Sequence, residues 1–372
     1  MIIRWICKKC NRKWIYPVEK CVYCNEMLEK EIGKQMKVIG MTKSFVQSPP
    51  HPIIPYNILI VQDEHGNKMP KKVMRDYKIG DEYKRDRSDA KNAVSIVKIK
   101  YDYYEAVKES LELIKADIKD CKILIKPNIF AAAYPYQAFT TNPNVVKGLV
   151  EYLIQKGVKK ENITIAEQVQ FGEAEKAFAK SGFTKLAQEY DVKLIDLEKT
   201  GFVEKEMDGF RFEISEEVLN KDLIINVPVM KTHMFLGISG ALENMTRIIS
   251  KKSYKELEKD MEKAVKSIGM ISKIVGDYLT IGDASIGMQG NGPGQYGEPA
   301  FLNMVLASKD PVAIDKVFTE IGLLKDAKHV TAAANLNVGC ADLADITIVG
   351  DELDACRREL KGAIGSKLIK LR

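Results

Sequence analysis

The chain is 372 residues long with a formal net charge of +6, 45% hydrophobic and 29% charged residues; these are globular values that exclude long disorder, and about 100–200 residues per domain predicts two or three units. No apolar run approaches the roughly 20 residues needed to cross a bilayer, and the opening MIIRWICKKC lacks the apolar stretch of a secretory leader. Seven cysteines, three of them scattered as Cys121, Cys340 and Cys356, do not read as a disulfide framework, so a cytoplasmic location is expected and no membrane partner.

The charge is uneven. Residues 1–88 hold 18 Lys/Arg against 10 Asp/Glu, and the remaining 284 residues hold 39 against 41. The basic character belongs to the N-terminal part, where it suits an acidic or nucleotide-like partner as well as a plain solvated face. Within it, Cys7, Cys10, Cys21 and Cys24 form C-x2-C-x10-C-x2-C. Each CxxC pair can bend so that both sulfurs face one ion, and two such knuckles complete a tetrahedral S4 site with no position open for substrate. Residues 1–34 are therefore expected to be a zinc ribbon around a structural zinc, with iron the alternative that S4 geometry also admits.

From 35 to 88, KVIGMTKSFV alternates, PYNILIVQDEHG is an apolar run ending in a turn, and YKIGDEYK closes the segment. Short strands separated by turns predict a small β-barrel. The four cysteines with Pro17 ahead of the second pair, Gly40 with Thr42, Pro55-Tyr56 and Ile79-Gly80-Asp81 resemble domain-of-unknown-function family 35. That resemblance implies a rubredoxin-like zinc ribbon joined to an OB-fold, an association with thiolases or hydroxymethylglutaryl-CoA synthases, and presentation of acyl-CoA. An OB-fold also binds single-stranded nucleic acid, stacked on aromatics such as Trp14, Phe45, Tyr56, Tyr77 and Tyr83; the same rings serve equally as barrel core.

Residues 84–93, KRDRSDAKNA, are a charged run without apolar period, so a boundary is expected there and an α/β domain over 95–372. Beyond it, helix YYEAVKESLELIKAD leads to strand CKILIKPNI, helix NVVKGLVEYLIQKG and strand NITIAEQV. A helical stretch from EAEKAFAKSG to LAQEY, strand VKLIDLE, a hairpin and strand DLIINVPV follow. The fold class expected is α/β, a mainly parallel sheet domain preceded by the ribbon and the OB-type barrel. SYKELEKDMEKAVKSIGMISKI, apolar at Tyr254, Leu257, Met261, Val265 and Ile268, is expected to be a covering helix and no more.

Open α/β sheets bind ligands beyond the carboxyl ends of their strands, and that rule collects polar residues. Lys126 and Asn128 end ILIKPNI, Glu167 ends TIAEQ, and Lys231 and His233 follow NVPV, with Glu243 and Asn244 after a glycine turn. Asp283 lies in LTIGDASIGMQGNGPG ahead of Gly292, and Asp310 and Asp315 lie in ASKDPVAID. Simpler readings stand beside these. Asp310 before Pro311 is a good helix N-cap, either lysine can snorkel from a strand edge, and His233 can be a satisfied core histidine. The glycine loop is neither GxGxxG nor a Walker sequence, and offers either N–H groups to an anion or only turns.

IKPNI, TTNPNVVKGLVEYL, MKTH followed by SGALENM, LTIGDASIGMQGNGPG and ASKDPVAID, in that order, resemble domain-of-unknown-function family 362. The resemblance implies an α/β domain whose polar residues gather in one site. By motif match these are Lys126, Asn128, Asn142, Glu167, Lys231 and His233, then Gly240, Asn244, Asp283, Gly292, Asp310 and Asp315. Relatives with an appended ferredoxin are iron–sulfur proteins, but this chain has no C-x2-C-x2-C-x3-C run, so no such cluster is expected. Glu243 stands where the family typically has lysine.

The function expected is that of a zinc-binding protein that acts on or presents an acyl-CoA or related carboxylate. His233, Lys231, Asn244 and Asp283 are the candidate catalytic residues; Lys126, Asn128, Glu167, Gly292 and Asp310 are the candidate ligand-binding ones. Lys231 and Lys126 would clamp an anion, His233 act as general acid or base, and Asn128 and Asn244 orient a carbonyl oxygen. Asp283, Asp310 and Glu167 would suit a divalent cation such as Mg²⁺. The alternative is a non-catalytic accessory subunit of a thiolase-type partner. A nucleic-acid-binding ribbon protein comes last, because residues 89–372 are net acidic.

Overall fold

Ile123–Pro127 and Ile163–Glu167 are buried at every position and Leu223–Val227 at all but its first, the pattern of strands covered on both faces. In the computed structural model, which describes residues 1–294 and 296–364, they pair in parallel within an 11-stranded sheet. Residues 365–372 of the domain expected over 95–372 lie outside the described residues. The main path of the sheet runs Lys193–Asp196, Ile163–Glu167, Ile123–Pro127, Leu223–Val227, Leu279–Gly290, Met304–Ser308, Ala93–Lys98, Thr347–Gly350. Only the joints on either side of Met304–Ser308 are antiparallel. The sheet is mixed but mainly parallel, as the apolar runs predict.

Alternate strand residues face opposite layers. Ile123 and Ile125 join Val107, Leu111, Val146 and Leu149 of helices Tyr103–Leu113 and Pro143–Gln155 in one core. Leu124, between them, joins Ile214, Met245, Met270 and Ile271 in another. Helix Pro311–Ile321 closes a third, with Ile314, Val317 and Phe318 against Ile96, Met230 and Leu306. The expected hairpin is Phe202–Met207 with Phe210–Ser215; its turn, Asp208-Gly209, takes φ of 51° and 79°, the doubly positive pair that a tight hairpin asks of Asp-Gly.

Two elements differ from expectation. The strand entered at LTIGD runs on to Gly290, so Asp283 lies mid-strand, not at a strand end. The single covering helix is two, Lys251–Glu258 and Met261–Val275. Asp260 between them is extended and accepts from the N–H groups of Glu262 and Lys263, so an N-cap starts a new helix inside what the apolar spacing makes look continuous.

The N-terminal part holds two small antiparallel sheets, Lys13–Trp14 with Ile2–Ile6 and Glu29–Gly33, then Met36–Ser44 with Tyr56–Asp63 and Lys68–Val73. They share a core, since Ile2 of the first packs with Met36, Val38, Leu59, Val61 and Val73 of the second. The charged run after them is not a free linker. The Arg85 side chain is 6% exposed and pairs with Glu109 at 2.7 Å and Asp351 at 2.6 Å, which ties these sheets to the α/β domain.

Candidate functional site

Pro228 ends Leu223–Val227, and the chain then makes one more strand, Val229–His233, beside Leu279–Gly290. Gly237–Ser239 turns back against it, and Gly240 opens the single-turn helix Ala241–Asn244. A Cβ on Gly240 would stand 2.1 Å from Asp315 Oδ1, so this position requires glycine. Asp315 is fully buried and accepts from the N–H groups of Ala241 at 2.7 Å and Leu242 at 3.0 Å. It thereby pins the turn that carries Glu243 and Asn244. Burial pushes its carboxyl up to about 7.

These strand ends surround a cleft of about 620 Å³. Its closed end is polar: Asn128, Glu167, Lys231 and Arg247, all buried, with Glu243 and His233 beside them. Tyr254, Leu257, Met261 and Ile268 form its apolar wall. The segment expected only to cover the sheet therefore builds one side of the cleft. Phe171, Phe235 and Tyr296, each more than half exposed, stand at the rim.

The two lysines play different parts, and neither snorkels. Lys126 has no exposed surface; its Nζ donates to Glu167 Oε1 at 2.8 Å and approaches Asn244 Oδ1 at 3.5 Å. It stands behind the cleft wall, with Glu167 in front of it. The N–H groups of Ile129 at 3.1 Å and Gln168 at 2.7 Å complete the shell of Glu167. Burial pushes the Lys126 ammonium down and the Glu167 carboxyl up, each against the pull of the other. Lys231 lines the cleft itself and donates to Asn128 Oδ1 at 2.5 Å. Burial lowers its pKa to about 8, against the field of Glu243.

For Glu243, burial alone would raise the pKa, but Lys231, His233 and Arg247 outweigh it and hold the carboxyl at about 2. Ser239 Oγ donates to Glu243 Oε2 at 2.6 Å. His233 Nδ1 accepts from the N–H groups of Phe235 and Leu236, both at 3.2 Å, so the ring hydrogen lies on Nε2. Burial lowers its pKa to about 4. At neutral pH this histidine offers the cleft a donor and no basic nitrogen. Asn244 Nδ2 donates to Asn226 Oδ1 at 2.7 Å, which locks the short helix to the strand behind the site.

Three expected site residues lie elsewhere. Asp283 accepts from the N–H of Asn142 at 2.7 Å and from Ser285 N–H at 3.0 Å and Oγ at 2.6 Å. Asp310 caps Pro311–Ile321, accepting from Val312 at 2.8 Å, Ala313 at 2.9 Å and Cys340 at 2.8 Å. The Gly292 N–H is spent on Gly290 O at 3.0 Å, and a Cβ there would stand 2.4 Å from Thr232 O; close backbone approach, not an anion, explains the glycine. A divalent cation between Glu167, Asp283 and Asp310 has no basis, because backbone donors or Lys126 already occupy their oxygens. Among the described residues, the four cysteines are the only group of three or more potential ligands with all ligand atoms within 4.8 Å.

Arg247 belongs to the site without any motif to mark it. It is 8% exposed, its guanidinium lies over the Tyr254 ring at 3.6 Å, and it has no hydrogen-bond acceptor among the described residues. The only signal in the sequence is a lone cation shortly after Glu243-Asn244, on a stretch too short for any periodicity.

The cysteines do converge. Cys7 and Cys24 Sγ are 3.2 Å apart, Cys10 and Cys21 Sγ 3.7 Å; tetrahedral arms of about 2.3 Å would set sulfurs roughly 3.8 Å apart. Asn11 and Asn25 end the two knuckles in the left-handed region, φ 55° each, and donate to Cys7 O and Cys21 O at 2.8 Å. The cluster can hold one metal ion.

A family model described as Domain of unknown function (DUF362) matches residues 123–320, more than half of the chain. The thylakoid-associated protein sll1697 of Synechocystis sp. is 26% identical over 223 residues, 59% of this chain and 68% of that protein. Among solved structures, the lactate racemase apoprotein from Thermoanaerobacterium thermosaccharolyticum aligns at 15% identity and a TM-score of 0.39, over 67% of this chain and 61% of that one. An Ltp2-ChsH2(DUF35) aldolase aligns at 16% identity and a TM-score of 0.19, over 23% of this chain and 71% of that one. Among the described residues no helix is long and apolar enough to cross a membrane.

Proposed function

Since the chain belongs to the DUF362 family, whose description assigns no activity, we propose its function from the cleft: it is an enzyme that binds an organic acid, carboxylate inward and apolar body outward, and moves a proton at the buried end. Arg247 carries this reading. Its guanidinium lines the cleft over the Tyr254 ring, in the field of Glu243 and without a hydrogen-bond acceptor among the described residues, and a ligand carboxylate would supply paired, charge-assisted hydrogen bonds. Tyr254, Leu257, Met261 and Ile268 would take the apolar body. Lys231, whose pKa of about 8 lies near working pH, is the group to give or take a proton. His233 Nε2–H would orient the ligand oxygen.

The free acid suits the cleft better than its CoA thioester. Among the described residues Lys231 and Arg247 are the only cations lining it, both at the closed end, so the cleft offers no cation to phosphates passing Phe171 and Tyr296. In calorimetry with 3-phenylpropionate, saturable binding is expected, weakened about 10–100-fold by Arg247→Ala, since a hydrogen bond to a charged group contributes about 1.5–3 kcal/mol. The ammonium of Lys231 attracts the anion below its pKa, so affinity should fall as pH rises through about 8. Undiminished binding by Arg247→Ala would sink this reading.

In the same proposal the N-terminal sheets are a family-35-like ribbon and barrel, with zinc on the four cysteines. One observation favours a second reading, an accessory role on a thiolase-type partner. Ile15, Tyr16, Val22, Tyr23 and Met27 are each more than half exposed around the knuckles, and monomers seldom leave such patches open. This reading expects co-elution with a purified thiolase-type enzyme, abolished by Val22→Asp with Tyr23→Ser. Separate elution of the two proteins removes it.

A further inference from the structure

Lys126 and Lys231 are both buried near the same strand ends, yet only Lys126 has a carboxylate within ion-pair distance among the described residues. Among the described residues Lys231 Nζ makes one hydrogen bond, to Asn128 Oδ1 at 2.5 Å, and it lines the cleft. Burial lowers its pKa to about 8 against the fields of Glu243 and Glu167, with Lys126 and Arg247 adding smaller contributions to the lowering, so near pH 8 a large share of it is the neutral amine, which is the nucleophilic form. With Arg247 placed to bond the carboxylate, Lys231 contributes only its charge to binding, and its nitrogen is left for chemistry. His233 presents Nε2–H in the same cleft, where it can donate to an oxygen on the carbon under attack.

We propose that Lys231 forms an imine with a 2-oxo acid whose carboxylate is held by Arg247 and whose apolar side chain lies along Tyr254, Leu257 and Met261. This deepens the organic-acid reading and rests on it. The Nζ lone pair attacks the ketone carbon and the C=O π pair moves to oxygen. The two N–H protons of the amine leave with that oxygen as water, and one solvent proton converts the imine to the iminium. No oxidant or reductant takes part.

The test is reductive trapping of the full chain with phenylpyruvate and sodium cyanoborohydride at about pH 8, followed by intact mass and peptide mapping. One adduct is expected, phenylpyruvate less water plus two hydrogens, on the peptide containing Lys231. Excess 3-phenylpropionate should protect against it. Lys231→Arg should lose the adduct while keeping the wild-type circular-dichroism spectrum and unfolding midpoint, which shows that the variant is folded. Adducts scattered over other lysines, or none at all while 3-phenylpropionate still binds, would overturn the imine and leave the organic-acid reading intact. Absence of 3-phenylpropionate binding in the wild type would bring down both.

Discussion

Replacement of Lys126 by methionine is expected to lower the unfolding free energy by about 3–5 kcal/mol, the cost of leaving one member of a buried ion pair uncompensated. The pair is fully inside, with Lys126 at 0% and Glu167 at 1% exposure. Burial drives both members toward their neutral forms, so desolvation cancels much of their attraction, and the intact pair contributes little net stability. Removal of one member is a different matter. Glu167 would keep the N–H groups of Ile129 and Gln168 but lose the only cation within ion-pair distance among the described residues. The double variant Lys126→Met with Glu167→Gln should therefore recover most of the loss, which denaturant unfolding can measure. A double variant no more stable than Lys126→Met would show that the two charges are not coupled. Recovery of stability without recovery of ligand binding would mean that Glu167, which faces the cleft, is kept for its site and not for the fold.

Removal of the proposed zinc from the four cysteines is expected to open the sheet of Lys13–Trp14, Ile2–Ile6 and Glu29–Gly33 and leave the α/β domain folded. Strand Lys13–Trp14 pairs with Ile2–Ile6 at two positions only, Trp5↔Trp14 and Ile6↔Lys13, too few to hold a hairpin alone. Structural zinc in small peptides contributes about 10–16 kcal/mol of apparent binding free energy at pH 7, far above what this sheet supplies. Both tryptophans of the chain, Trp5 and Trp14, lie on those paired strands, so their fluorescence reports on this sheet and, through the contact of Trp5 with Tyr101, on its seam with the α/β domain. Elemental analysis should find one zinc per chain. Chelation, or Cys21→Ser, should shift tryptophan emission to the red while 3-phenylpropionate binding persists. One iron in its place would keep the site and change the ion. Emission unchanged after complete metal removal would show that the ribbon does not depend on its cysteine cluster.

The cysteine cluster was legible because C-x2-C is a local geometry: two sulfurs three residues apart face one point whatever the rest of the chain does, and two such knuckles need only meet. The strands at Ile123–Pro127, Ile163–Glu167 and Leu223–Val227 were legible for a similar reason, since unbroken apolar runs have few other places to go. The strand-end rule went further and brought Asn128, Glu167, Lys231 and His233 into one cleft. It failed for Asp283, because β-bonding carries that strand several residues past the polar position. It was silent on Arg247 and on the wall built by Lys251–Glu258 and Met261–Val275, whose apolar spacing reads the same whether it faces a core or a cavity.

By itself, then, the sequence determined the mainly parallel α/β sheet, the four cysteines that converge and the strand ends from which a site is assembled, because these follow from spacing along the chain. Only the tertiary structure decided which polar groups share a cavity and in what ionic state. Glu167 became one half of a buried pair, His233 a neutral donor, Lys231 an amine with a pKa of about 8, and Arg247 a cation with no hydrogen-bond acceptor among the described residues. Desolvation and the field of neighbouring charges set those states, and both depend on packing between segments that lie far apart in sequence.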